Sequence, residues 1–140
     1  MSLLAEIQNE CTSKDGSVSR LLRLCLQLAA RLKHAPLKEW ALHELNGYPD
    51  ASSAPDYRVF QTRSRGFFAD QYRQVTLDIP ARILDEPIRT RFSEARLDQP
   101  ISQYEELLSG DSNSSFQISW PQDLALYYGP KVSGIQCLRM

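Results

Sequence analysis

Cysteine is scarce in this 140-residue chain. Cys11, Cys25 and Cys137 are odd in number, widely spaced and without a C-x-x-C pair, which excludes a disulfide framework and a zinc ribbon and fits free thiols in a reducing cytoplasm. Histidine is scarcer still. His43-Glu44 begins an H-E-x-x-H metal motif, but position 47 is glycine, and His34 lies at a poor ligand spacing, so both histidines read as ordinary surface or capping groups. Six glycines form no phosphate-cradling run, and neither a G-x-S-x-G elbow nor a Ser/His/Asp set is present. No Asp or Glu is followed two positions on by Lys, so the [DE]-x-K pattern of metal nucleases is missing, and Glu94-Ala95-Arg96 is only a mimic. Glu105 and Glu106 are adjacent carboxylates that a helix would turn about 100° apart, which predicts a solvated face. No catalytic residue, metal-ligand set or cofactor follows from these residues. Long apolar runs are absent too: Gln27, Arg31 and Asp123 interrupt them, and Met1 to Glu6 lack a basic leader, so neither a membrane span nor secretion is expected.

What remains suits a globular core. Hydrophobic residues make up 42% of the chain and the net charge is −1, which argues against disorder and against a polyelectrolyte tail. One domain is expected at this length. A short helix over Ser2 to Cys11 precedes the strongest periodic signal, Leu21, Leu22, Cys25, Leu28, Ala29 and Leu32, with Ser17 or Ser19 as its N-cap. Pro36 suits the first turn of a third helix carrying Leu37, Trp40, Ala41 and Leu45, which Gly47 and Pro49 end, giving a helical hairpin. Beyond a polar linker the texture turns extended: Tyr57–Phe60, Gly66–Phe68 and the alternation of Val75, Leu77 and Ile79 predict strands. Residues 82–97 are ambiguous. Pro100 opens a helix stopped by Gly110, residues 111–115 read as a turn, and Phe116, Ile118 and Trp120 alternate as a strand. Pro121 starts a helical turn, and the chain ends in apolar residues suited to a last strand.

Charge is segregated along the chain. Residues 57–96 carry net +3 with eight arginines, whereas 97–130 carry net −5 with no Lys or Arg. Arg58, Arg63, Arg65 and Arg73 interleave with Tyr57, Phe60, Phe67, Phe68 and Tyr72, a combination able to neutralise phosphates and stack on bases. The same arginines can instead pair with the acidic stretch, within one chain or between chains.

Four stretches carry a resemblance: Leu21 to Leu32, Leu37-Lys38-Glu39-Trp40, Glu44-Leu45-Asn46-Gly47-Tyr48-Pro49 and Tyr57-Arg58-Val59. With Trp120-Pro121-Gln122-Asp123-Leu124 as a W-P-x-x-L element, the chain resembles the AbiTii family of prokaryotic abortive-infection proteins over almost its whole length. The resemblance implies anti-phage defence and a role as recognition, regulatory or oligomerising module, and it supplies no catalytic residue. Physically, Trp40 is expected to bury a large ring, Glu44 to pair with an arginine or cap a loop, and Gly47 to permit the turn. The family pattern tends to continue past Met140, so the chain reads as a fragment truncated at its C-terminus, a natural short version, or a module cut away from an effector.

The expectation is an α+β fold, an N-terminal helical hairpin packed on a small, mainly antiparallel sheet with short helices added. It is read as one domain over 1–140, helical over about 1–47 and mixed over about 55–140. The expected function is a non-enzymatic interaction, sensing or oligomerisation module of a bacterial, cytoplasmic anti-phage system, with a protein partner or self-association and no membrane. Two alternatives stay open, an Arg-rich nucleic-acid binder and an enzyme whose residues converge only in the fold.

Overall fold

In chain order the elements are α1 (Leu3–Thr12), α2 (Val18–Leu32), α3 (Ala35–Asn46), β1 (Val59–Gln61), β2 (Arg65–Ala69), β3 (Gln74–Asp78), α4 (Ile88–Ser93), β4 (Glu94–Arg96), α5 (Ile101–Ser109), α6 (Gln122–Ser133) and β5 (Cys137–Arg139), with short 3-10 turns between some of them. This computed structural model describes residues 2–69, 71–110, 117–133 and 137–139. The elements form two compact units. One is built from residues within Met1–Pro55 and Leu97–Phe116, the other from residues within Asp56–Arg96 and Gln117–Met140.

The first unit is helical because each of its early helices starts on a side-chain cap. Ser2 accepts from the Ala5 amide at 3.2 Å, Ser17 from Arg20 at 3.3 Å, and His34 Nδ1 from Leu37 at 3.1 Å. Each satisfies an amide that the first turn leaves unpaired. Lys33, in the left-handed region at φ 51°, closes α2 and lets the chain reverse into α3, whose first turn holds Pro36. Leu22 and Ala29 on α2 and Ala41 on α3 are buried, and α2 packs against α1, α3 and α5. Small residues at 29 and 41 allow close approach of the helices that carry them.

The second unit holds two antiparallel sheets. β1 pairs with β4 (Val59 opposite Arg96), and β2 lies between β3 and β5, with Arg65 opposite Asp78 and Phe67 opposite Arg139. On β3 the half-buried Val75 and Leu77 alternate with exposed Gln74, Thr76 and Asp78, so the period of two marks a single packed face. Phe68 on β2 is wholly buried. Beside the sheets, Ile79, Leu84, Trp120 and Tyr128 form a core against which Ile83, Ile88, Phe92, Leu124 and Val132 pack. The fold is α+β, with a helical hairpin and antiparallel strands among the described residues.

Residues 117–120 form no strand, contrary to the alternation read there, and Phe116 and the turn at 111–115 lie outside the described residues. Two alternate positions of a strand share a face, yet Ile118 is exposed while Trp120 is buried. Trp120 enters the core as a single residue.

Candidate functional site

The Glu44–Pro49 string forms a corner inside the helical unit. Glu44, only 5% exposed, accepts a hydrogen bond from the Tyr48 hydroxyl at 2.6 Å, and the Tyr48 ring stacks on His43 with centroids 5.2 Å apart. The Gly47 amide donates to the His43 carbonyl at 2.8 Å and the Tyr48 amide to the Asp98 carbonyl at 2.7 Å, so the end of α3 is fastened to the chain just ahead of α5. Leu45 is half-buried, while Asn46 and Pro49 are exposed. Gly47 sits at φ 90° and ψ 168°, a region open essentially to glycine alone. Trp40 differs from expectation: it is 41% exposed. The buried arc of α3 centres between Ala41 and Glu44, and position 40 falls about 70° from that centre, at its edge.

The W-P-x-x-L element builds the second core. Trp120 stacks on Phe92 at 4.3 Å and 26° and meets Tyr128 edge-on at 6.2 Å, favourable offset and perpendicular geometries for aromatic pairs. The Pro121 carbonyl accepts from the Leu124 and Ala125 amides at 3.1 Å, opening α6, and Leu124 packs on the same core. The family-marking residues thus mainly hold backbone turns and cores.

The arginine segment is not one surface of free cations. Arg58 is buried at 5% exposure; Arg65 bonds Asp78 through Nε at 2.8 Å; Arg73 is engaged by other groups; Arg63 is exposed and pairs with no described acid. Two other ion pairs here are also local, Arg89 with Glu86 at 3.7 Å and Arg96 with Glu94 at 3.8 Å. Arg65, Arg89 and Arg96 therefore draw on acids of their own segment. Arg82 has no acidic partner among the described residues, nor do Glu106 and Asp123 have a basic one.

Glu105 overturns its reading as a solvated residue. Its carboxylate accepts from the Val18 amide, from the Ser19 amide at 3.2 Å, from the Ser17 hydroxyl at 3.1 Å and from the Ser19 hydroxyl, so α5 caps the start of α2 from 86 to 88 positions away. No local spacing rule reaches that distance. Only the serines at the start of this amphipathic run, whose hydroxyls can donate, hinted at an acceptor. Glu10 adds a second acceptor, taking the Ser17 amide at 2.9 Å and pairing with Arg20 at 3.4 Å. Burial pushes the Glu105 carboxyl up, but the bonds from Ser19, Ser17 and Val18 outweigh it and hold the group below its ordinary value. A folded-state value below the unfolded one contributes stability above the unfolded value, and the contribution is lost as pH falls through the folded one. Glu105→Ala is expected to cost about 1 kcal/mol at neutral pH, typical of a lost cap. Urea unfolding at neutral and acidic pH checks this, and the gap between wild type and variant should close on acidification.

No group of three or more His, Cys, Asp or Glu among the described residues could hold a metal. Burial, and then the neighbouring Cys11, push the Cys25 thiol up, the opposite of nucleophile activation. No helix of the described residues is long and apolar enough to cross a membrane. Large apolar side chains stand in solvent instead, among them Leu108 at 85% exposure, Ile118, Leu126 and Tyr127.

No curated protein and no solved structure matches the chain. The AbiTii family model matches residues 2–140, nearly the full length, a span that includes the Glu44–Pro49 corner and the Trp120–Leu124 element. The chain belongs to the AbiTii family, which implies an abortive-infection, anti-phage role.

Proposed function

We propose that this chain is a non-enzymatic recognition module of a bacterial, cytoplasmic anti-phage system, and that it works by protein contact, including contact with its own copies. The observation that carries the reading is the set of large apolar side chains left in solvent, Leu108, Ile118, Leu126 and Tyr127, while the family-marking tryptophan at 120 is buried. Exposed apolar groups on a chain of net charge −1 favour association, since little long-range repulsion opposes it. Charge adds orientation. The cations Arg63 and Arg82 and the anions Glu106 and Asp123 are left to meet across copies, where groups of unlike charge steer encounter more than they add affinity.

Light scattering tests this directly. The wild-type chain should run heavier than 16.0 kDa at high concentration, and Leu108→Ser with Leu126→Ser should return it to that mass. Both positions are exposed, so the melting temperature should stay within about 0.5 kcal/mol of wild type in stability terms. A wild-type monomer at every concentration and salt level would remove the self-association part of the reading.

An Arg-rich nucleic-acid binder is the second reading, favoured by Tyr57 and Phe60 standing exposed near Arg63 in sequence. Single-stranded RNA titrated at low and high salt separates the two. Binding that falls steeply with salt and is lost in Arg63→Ala supports the second, and no binding at low salt excludes it.

A further inference from the structure

Within the second unit, a cleft of about 180 Å³ opens to solvent between the segment 62–64, the end of β3, and α4. Its sides come from residues far apart in sequence. Four hydrogen bonds fix them: Thr62 amide to Ser93 carbonyl at 2.9 Å, Thr62 hydroxyl to Phe92 carbonyl at 2.9 Å, Ser64 hydroxyl to Phe92 carbonyl at 3.5 Å, and Ile79 amide to Ser64 carbonyl at 2.8 Å. The walls are thus set before any ligand arrives, which lowers the ordering cost of binding.

The lining has two characters. Ile79, Leu84 and Phe92 give an apolar interior that includes an aromatic edge or face. Arg63 and Arg89 give it cations. Arg89 is held in place by main-chain carbonyls, Nε on Ala81 and Leu84 at 3.1 Å and Nη2 on Leu84 at 2.9 Å, with Glu86 only loosely opposed at 3.7 Å. Arg63 pairs with no described acid. The one lining acid, Asp78, is bonded by Arg65 at 2.8 Å, which removes it as a competitor with an incoming anion for the lining guanidinium groups and leaves the cleft net positive.

We infer that this cleft binds a small organic anion: an apolar ring or short chain bearing one carboxylate or phosphate. The volume lies below the ~300–1,000 Å³ of sites for drug-sized molecules, so the ligand is the size of a side chain or a single ring. Guanidinium groups select planar or tetrahedral oxyanions through paired hydrogen bonds, and the interior rewards the apolar body. With a single acid lining the cleft, and that acid engaged, the site holds its ligand without acid–base chemistry. The cleft shares Arg63 with the charges proposed above to orient self-association, but its walls lie within one chain and need no second copy.

The test uses the whole chain, with backbone amide NMR following titration of benzoate and phenyl phosphate at low salt. Inorganic phosphate and acetate, which lack the body, and benzyl alcohol, which lacks the charge, serve as the comparison probes. Benzoate or phenyl phosphate should move amides at 62–64 and 79–93, and the tighter of the two names the head group. Arg63→Ala should weaken binding about tenfold and Arg63→Lys by less, as expected for losing one charge-assisted hydrogen bond. Arg63 is exposed, and an unchanged amide spectrum elsewhere shows that the variants fold. The inference is overturned if neither aromatic anion moves these amides at millimolar concentration. It is also overturned if benzyl alcohol binds as well as benzoate, or if Arg63→Ala binds like wild type.

Discussion

Trp120→Ala should remove about 3–5 kcal/mol of stability, the range for deleting a buried aromatic from a packed core. The ring is stacked on Phe92, meets Tyr128 edge-on and closes a core shared with Ile79 and Leu84, so no neighbour can collapse into the space without giving up its own contacts. Two aromatic contacts add to the area term, each worth about 0.5–1.5 kcal/mol. Trp120→Phe keeps a ring in the stack and should cost visibly less. Urea unfolding checks the pair, with melting temperature falling about 10–20 °C for the alanine variant. Equal stability of the two variants would mean that the indole does not organise this core.

Gly47→Ala is the second large effect. At φ 90° and ψ 168° an L-residue is strained by about 1–3 kcal/mol before any contact is considered. A Cβ would also stand 2.8 Å from the Asp98 carbonyl oxygen and 3.1 Å from Pro100 Cδ. The nearest atom belongs to backbone, so relief requires moving the chain that leads into α5. That movement would strain the Tyr48 amide bond to Asp98, and α5 carries Glu105, the cap of α2. The expected outcome is a loss of more than about 2 kcal/mol, read by chemical unfolding. Amide exchange rising together at the ends of α3 and the start of α2 would show the coupling. A variant as stable as wild type, with those amides still protected, would show that the corner does not depend on glycine.

Local chemistry explains how much of this fold was legible. Ser17 ahead of a 3.6-period run marked the start of α2, Pro36 the first turn of α3, and Gly47 its end, because caps and breakers act within a turn of themselves. The alternation on β3 was readable for the same reason. What failed was long-range. The Glu105 cap, the pairing of β1 with β4 and that of β2 with β5 join residues 33 or more positions apart, and composition carries no record of such partners. Trp40 failed differently: large size suggested burial, but its angular position on α3 decided otherwise. The arginine pattern was visible in the sequence while its meaning was not. Whether Arg65 faces a phosphate or Asp78 depends on the β2–β3 register, in which the two stand directly opposite.

On the proposed reading this AbiTii chain acts in defence through contact surfaces, with Gly47, Glu44 and Trp120 serving the scaffold. Phage plating on cells producing the wild-type chain or the Leu108→Ser, Leu126→Ser variant at matched abundance tests it most directly. Wild type should lower plating efficiency and the surface variant should lose that protection while keeping its melting temperature. Protection by the surface variant equal to that of wild type would mean that Leu108 and Leu126 carry no part of the defence.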